Sequence, residues 1–229
     1  MLDERLALAA ALFQPCSLGA DIGTDHALLP CALLEQGVCE QMILSDVSPK
    51  ALDHARKEVM HRHLEARTTL ICMDGLDELN RPCGCVSITG MGGRTISDIL
   101  RRGQAKLCGA TLVLCAHTEQ PETRLCLQEI GYRIVREEPC LCNGHAYVIW
   151  QAEPGEMHLS PMEIQCGREL FDSASPMLKP YILNRIETMD RRLEGLKKAK
   201  NPDRAAIAQA LAIRDHYLTM AKEKPNENQ

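Results

Sequence analysis

Apolar positions along this chain switch between two periods. Leu2, Leu6, Ala9 and Phe13 recur at steps of three and four, which predicts an amphipathic helix over 2–13. Short apolar runs follow at 17–21, 41–46, 68–73, 86–89 and 111–116, each closed by a polar residue or a glycine, and these read as strands. Helical patterns fill the gaps at 26–36, 49–64, 95–102 and 122–131. Gly37 ends the first of these, and Ser48-Pro49 supplies an N-cap and a first-turn proline to the second. Segments 132–138 and 146–151 form a last hairpin that turns near Asn143-Gly144. Strands alternating with helices predict an α/β fold, a mostly parallel sheet covered on both faces, here with an antiparallel edge hairpin.

Beyond Ala152-Glu153-Pro154-Gly155 the pattern is helical. Ile182, Ile186, Met189, Leu193 and Leu196 repeat at steps of four and three, as do Ala206, Ala210, Ile213, Tyr217 and Met220. Asn201-Pro202-Asp203 separates the two runs, so they are expected to form an antiparallel, coiled-coil-like hairpin. The chain therefore divides into an α/β domain at 1–152 and a helical domain at 153–229. Arg185, Arg191, Arg192, Lys197, Lys198 and Lys200 gather on the first arm and its tip; they are a solvated helix face or a grip on an RNA backbone. The tail from Lys222 is expected to be disordered.

Bulk properties narrow the class. At 229 residues the chain can bury one substantial core with a small appendage. No apolar run approaches a membrane span, and the opening residues read as a helix rather than a signal peptide, so a cytoplasmic protein is expected. The twelve cysteines lie mostly in apolar strands and helices, where they act as small reduced hydrophobes. The pairs Cys83/Cys85 and Cys140/Cys142 lack the spacing of a zinc site, and no metal is expected. A net charge of −5 leaves nucleic-acid binding to local basic patches.

The candidate chemistry lies in 20–30, Ala-Asp-Ile-Gly-Thr-Asp-His-Ala-Leu-Leu-Pro. Strand, tight turn, helix and a second strand ending in Asp46 make a nucleotide-binding βαβ unit. Gly23 lets the backbone turn sharply beside a ligand, and the following helix offers N–H groups. Asp46 comes about 20 to 25 residues after the turn, where a carboxylate can accept from both ribose hydroxyls. The turn lacks the three glycines of a dinucleotide fingerprint. Asp21 and Asp25 would also repel a pyrophosphate. A cationic nucleoside such as S-adenosylmethionine suits these carboxylates. Asp25 by itself could be only a helix cap. Asp21, Asp46, Asp74, Gly90 and His117 all fall at the carboxyl ends of predicted strands, where such sheets bind ligands.

The strings Asp-Ile-Gly-Thr-Asp-His-Ala, Asp46, Asp74-Gly75-Leu76 and Gly90-Met91-Gly92-Gly93 resemble the TrmK-type tRNA (adenine(22)-N1)-methyltransferases. The likeness covers about 1–151 and extends more loosely to the helical hairpin. It implies a Rossmann-like class I methyltransferase sheet, S-adenosylmethionine as cofactor, tRNA as partner and methylation of adenine N1 at position 22. By position, it implies that Asp21, Gly23, Thr24, Asp25 and His26 form the cofactor loop. It implies Asp46, with Val47 beside it, for the ribose, and Asp74 and Gly75 for the adenine. Gly90, Met91, Gly92 and Gly93 would shape the floor under the sulfonium. The chain departs from the pattern in two places: Leu28 stands where the family usually has Tyr, and Cys115-Ala116-His117 where it usually has Gln-Pro-Asn.

Asp25 or His26 is then expected to contact the target base, with His117 assisting, and all three are the catalytic candidates. An equal alternative for His26 is a structural hydrogen bond that fixes the turn. The protein is expected to be a monomer or weak dimer. Two rivals remain open: a small-molecule methyltransferase whose hairpin is a lid or dimer arm, and a degenerate methyltransferase that only binds RNA or a protein.

Overall fold

The computed structural model describes residues 2–223, with only the backbone described at 171 and 172. The strands are β1 (Cys16–Ile22), β2 (Cys39–Asp46), β3 (Thr68–Cys72), β4 (Cys85–Met91), β5 (Thr111–Ala116), β6 (Tyr132–Cys142) and β7 (His145–Pro154). They form one sheet in the order β3-β2-β1-β4-β5-β7-β6. The first five run parallel, and β7 and β6 are added antiparallel. Strand order reverses between β1 and β4, and a crevice opens at the carboxyl ends there.

Five helices interleave with the strands: α1 (Glu4–Leu12), α2 (Leu28–Glu35), α3 (Pro49–His61), α4 (Gly93–Leu107) and α5 (Gln120–Glu129). Ala9 and Leu12 of α1, Leu29 and Leu33 of α2 and Ala55 and Val59 of α3 bury one face of the sheet against Met42, Leu44, Val113 and Ile149. Ile96 and Leu100 of α4 and Cys126 and Leu127 of α5 cover the other face. The short α6 (Pro161–Cys166) then leads to the long pair α7 (Leu178–Lys198) and α8 (Arg204–Glu223).

The expected seam holds: Ile182, Met189 and Leu193 face Ala210, Ile213 and Tyr217, all buried, with Ile186, Leu196, Ala206 and Met220 half-buried beside them. Tyr181, Ile182, Ile213 and Tyr217 share one apolar cluster with Trp150 and Ile134 of the sheet, so the hairpin is docked onto the sheet. Lys222 and Glu223 belong to α8, contrary to the expected tail, whose remainder lies outside the described residues.

Three other expectations change. Helix α2 starts at Leu28 rather than residue 26, because Asp25 and Ala27 hold φ of 38° and 53°, outside helical space. The edge hairpin is much longer than its apolar pattern, since Arg136, Glu137 and Glu138 interrupt that pattern without ending the strand. Glu137 is buried there because Arg124 of α5 donates to it from Nε at 2.7 Å. Arg185 does not share the solvated basic face: it is half-buried, with Tyr181 and Tyr217 as neighbours. Arg191, Arg192, Lys197, Lys198 and Lys200 remain exposed.

Candidate functional site

The crevice between β1 and β4 opens into a cavity of about 530 Å³. Asp21, Gly23, Thr24, Asp25, His26, Asp46, Gly90, Met91 and His117 all line it, so the sheet brings together most of the predicted site. Val47, Asp74, Gly75 and Gly92 are not on its wall. Val47 is exposed beyond β2, and Gly92 caps α4. The Asp74 carboxylate takes Nη2 of Arg102 at 2.8 Å on its Oδ1.

Asp21 is the deepest polar group. The parallel register sets it beside Ser87 of β4, whose hydroxyl donates to Oδ1 at 2.6 Å. Burial pushes the Asp21 carboxyl upward, and the nearby Asp46 adds to this, while the Ser87 hydrogen bond opposes it. A buried carboxylate so placed gains from a cation in the cavity. The Thr24 hydroxyl is buried beside the same carboxylate and also opposes the rise. This arrangement fits a polar, positively charged ligand. Phosphate chemistry does not fit, because Asp3, Asp21, Asp25 and Asp46 line the wall against a single arginine, Arg5.

The turn and the helix after it leave fewer N–H groups for a ligand than expected. Gly23 and Thr24 both donate their N–H groups to Ser45 O, at 2.8 and 2.9 Å. Pro30 has no N–H and Cys31 donates to Ala27 O, so at most Leu28 and Leu29 of the first helical turn face a ligand. Side-chain carboxylates rather than helix N–H groups therefore dominate. Gly23 suits the turn because its φ is +77°, where other side chains are strained; an added Cβ would also displace the flexible end of Met91. At the end of β2, Asp46 Oδ1 accepts from Ser48 N–H at 2.8 Å, which orients the carboxylate.

His117 leaves β5 directly after the buried Cys115 and Ala116, so of these three only His117 reaches the cavity, which the other departing residue, Leu28, also lines. Its Nε2 lies 3.0 Å from Nη1 of Arg5. A guanidinium only donates, so His117 accepts at Nε2 and carries its proton on Nδ1. Burial, then Arg5, lowers the His117 pKa and keeps the ring neutral. Arg5 also lies over the Tyr147 ring, 5.8 Å from its centroid, and Tyr147 is tilted against His117 at 5.2 Å. Sequence reasoning missed Arg5, Asp3 and Tyr147. The periodicity of 2–13 marked a helix but carried no sign that Arg5 would meet a residue 112 positions away.

All twelve cysteines are free thiols. Cys85 and the pair Cys140/Cys142 lie in strands separated by β5 and β7.

Comparison with known proteins gives the same direction. The sequence pattern of the methyltransferase domain matches residues 2–150. A tRNA (adenine(22)-N(1))-methyltransferase of Bacillus subtilis is 28% identical over 157 residues, which span 68% of this chain and 66% of that protein. Among solved structures, Streptococcus pneumoniae Sp1610 in complex with S-adenosyl-L-methionine is 28% identical, with a TM-score of 0.83 over 96% of this chain and 100% of that one. M. capricolum TrmK in complex with S-adenosyl-homocysteine is 26% identical, with a TM-score of 0.78 over 97% of each chain.

Proposed function

The chain belongs to the methyltransferase-domain family, and from that premise we propose that it methylates N1 of the adenine at position 22 of tRNA, using S-adenosylmethionine. The observation that carries this reading is the acidic cavity at the β1/β4 reversal, with a buried carboxylate that a cation would stabilise. The likeness to the Bacillus subtilis tRNA (adenine(22)-N(1))-methyltransferase over 68% of this chain supports the substrate.

Residues 1–152 hold the cofactor and the chemistry, and 153–229 dock the RNA. Asp21, Gly23 and Thr24 bind the amino-acid end. Asp46, with Val47 beside it, holds the ribose. Gly90 and Met91 form the floor beneath the sulfonium, and Asp74, Gly75 and Gly92, which stand off the cavity wall, are assigned to the adenine and the floor by the resemblance alone. Bound there, the cofactor supplies an electrophilic methyl group.

Adenine N1 attacks with its own lone pair, so no base is needed before the N–C bond forms and the S–C bond breaks. Positive charge passes to the adenine, where the Asp25 carboxylate stabilises it as it develops. His26 and the Nδ1–H of His117 orient the base edge, and orientation supplies most of the remaining rate. The target adenine must leave its stack to reach this depth. Arg191, Arg192, Lys197, Lys198 and Lys200 attract the RNA backbone. The protein works in the cytoplasm as a monomer or weak dimer; among the described residues no helix is long and apolar enough to cross a membrane.

The test is transfer from labelled S-adenosylmethionine to unmodified tRNA transcripts, with the product nucleoside identified and mapped by mass spectrometry. 1-Methyladenosine at position 22 is expected, and Asp25→Asn should bind cofactor normally but turn over slowly. Cofactor binding without modification of any tRNA would transfer support to a small-molecule enzyme or a binding module.

A further inference from the structure

The turn that lines the cofactor cavity has a second face, toward α3. Asp25 and Ala27 both have positive φ, an unusual pair two residues apart, and this conformation leaves Asp25 and His26 exposed. His54 of α3 meets them. One Asp25 oxygen lies 3.4 Å from Nε2 of His26 and the other lies 3.5 Å from Nδ1 of His54. The two imidazoles stack, 5.0 Å between centroids and 3° between planes. Among the described residues, this is the one trio of His, Cys, Asp or Glu side chains whose ligand atoms all lie within 4.8 Å of one another.

These spacings are long for hydrogen bonds, which favour about 2.7–3.2 Å. Ligand atoms at about 2.0–2.1 Å from one ion stand about 3.3 Å apart, close to these spacings, and a side-chain rotation that unstacks the two rings would aim both nitrogens at a shared ion. An open cavity of about 470 Å³ lies alongside, lined by His26, Leu28, His54, Lys57, Glu58 and His61, so solvent and ions have access. Two imidazoles and a carboxylate with one position open suit Zn²⁺, Cu²⁺ or Ni²⁺; Mg²⁺ prefers an all-oxygen octahedron.

We propose that Asp25, His26 and His54 bind one divalent transition-metal ion, and that the bound ion inhibits methyl transfer by withdrawing Asp25 and His26 from the target base. The inhibition rests on the function proposed above; the metal site does not. No bond in the substrate changes: the ion takes lone pairs from two imidazoles and one carboxylate, and chelation returns them.

The test uses the full chain, with the exposed Cys72 and Cys108 replaced by serine throughout so that thiols do not compete. Co²⁺ absorption and Zn²⁺ calorimetry, without RNA, should report one ion per chain. His54→Ala should weaken Zn²⁺ binding about tenfold or more, by loss of one of three ligands, and Lys57→Ala should leave it unchanged. Excess Mg²⁺ should not displace Co²⁺. In the transfer assay Zn²⁺ should inhibit the parent, EDTA should restore it, and His54→Ala should be active and resistant. Absent Co²⁺ bands, unchanged binding in His54→Ala, or displacement by Mg²⁺ would overturn the site. Zn²⁺ binding with undiminished transfer, or equal inhibition of His54→Ala, would overturn the inhibitory role. If no variant methylates tRNA even without metal, the functional reading fails, while the binding data still decide the site.

Discussion

Replacing Glu137 by glutamine should destabilise the protein severely, although the side chain keeps its shape. Glu137 and Arg124 are each only 1% exposed. Oε1 accepts from Arg124 Nε at 2.7 Å and Trp150 Nε1 at 2.6 Å. Oε2 accepts from the N–H groups of Arg168 and Leu170, at 3.0 and 3.2 Å. One carboxylate thus ties α5, β7 and the segment after α6 to β6. A glutamine amide has one oxygen, so whichever way it flips, two donors face an NH₂. Each buried donor left unpaired costs about 1–3 kcal/mol. Removing one partner of a buried ion pair costs about 3–5 kcal/mol. The two figures describe overlapping losses, and about 4 kcal/mol is the combined expectation. For a chain of this size that lowers Tm by about 8–16 °C. Thermal melts and urea titrations at neutral pH measure it, with the urea midpoint falling at constant slope. Combining Glu137→Gln with Arg124→Met should cost less than the sum of the single changes, because the second removes the stranded charge. A Glu137→Gln protein melting within about 2 °C of the parent would refute the reasoning.

Other outcomes follow from the cavity and the arm. Burial raises the Asp21 carboxyl, so the unliganded native state holds that proton more tightly than the unfolded chain, and stability is lost as pH rises through the raised value. A cationic ligand favours the ionised form, so S-adenosylmethionine affinity should climb as pH rises above the ordinary carboxylate range. Asp21→Asn should flatten that climb in calorimetry, and a parallel profile would exclude Asp21 as its source. Arg5 helps to lower the His117 pKa, so Arg5→Met should raise it and move the acid limb of the pH–rate profile to higher pH. An unmoved limb would exclude His117 as the titrating group. Alanine at Lys197, Lys198 and Lys200 should shallow the salt dependence of tRNA binding by about two to three in log–log slope. Unchanged slopes would remove the tip of α7 from the RNA interface.

Local chemistry made much of this protein legible in its sequence. The five parallel strands, the α7/α8 seam and the convergence of Asp21, Asp46, Gly90 and His117 on one end of the sheet follow from periodicity and topology. Each strand in a singly oriented sheet delivers its last residue to the same edge. Asn143 and Gly144, at φ of 50° and 77°, give the expected tight turn. What failed was contact between distant segments. Glu137 looks like a strand breaker until Arg124 is folded over it. Arg185 looks like surface charge until Tyr181 and Tyr217 pack around it. The turn and the helix after it promised a row of N–H groups for a ligand, but Ser45 takes those of Gly23 and Thr24, Pro30 has none and Cys31 donates to Ala27. His54 is an ordinary helical histidine until the strained turn at Asp25 brings two more ligand atoms to it. Sequence by itself determined the elements, their order and the end of the sheet where chemistry gathers, because those depend on neighbours along the chain. Tertiary structure alone decided which polar groups are paired, buried or left free, because each pairing joins residues separated by long stretches of chain.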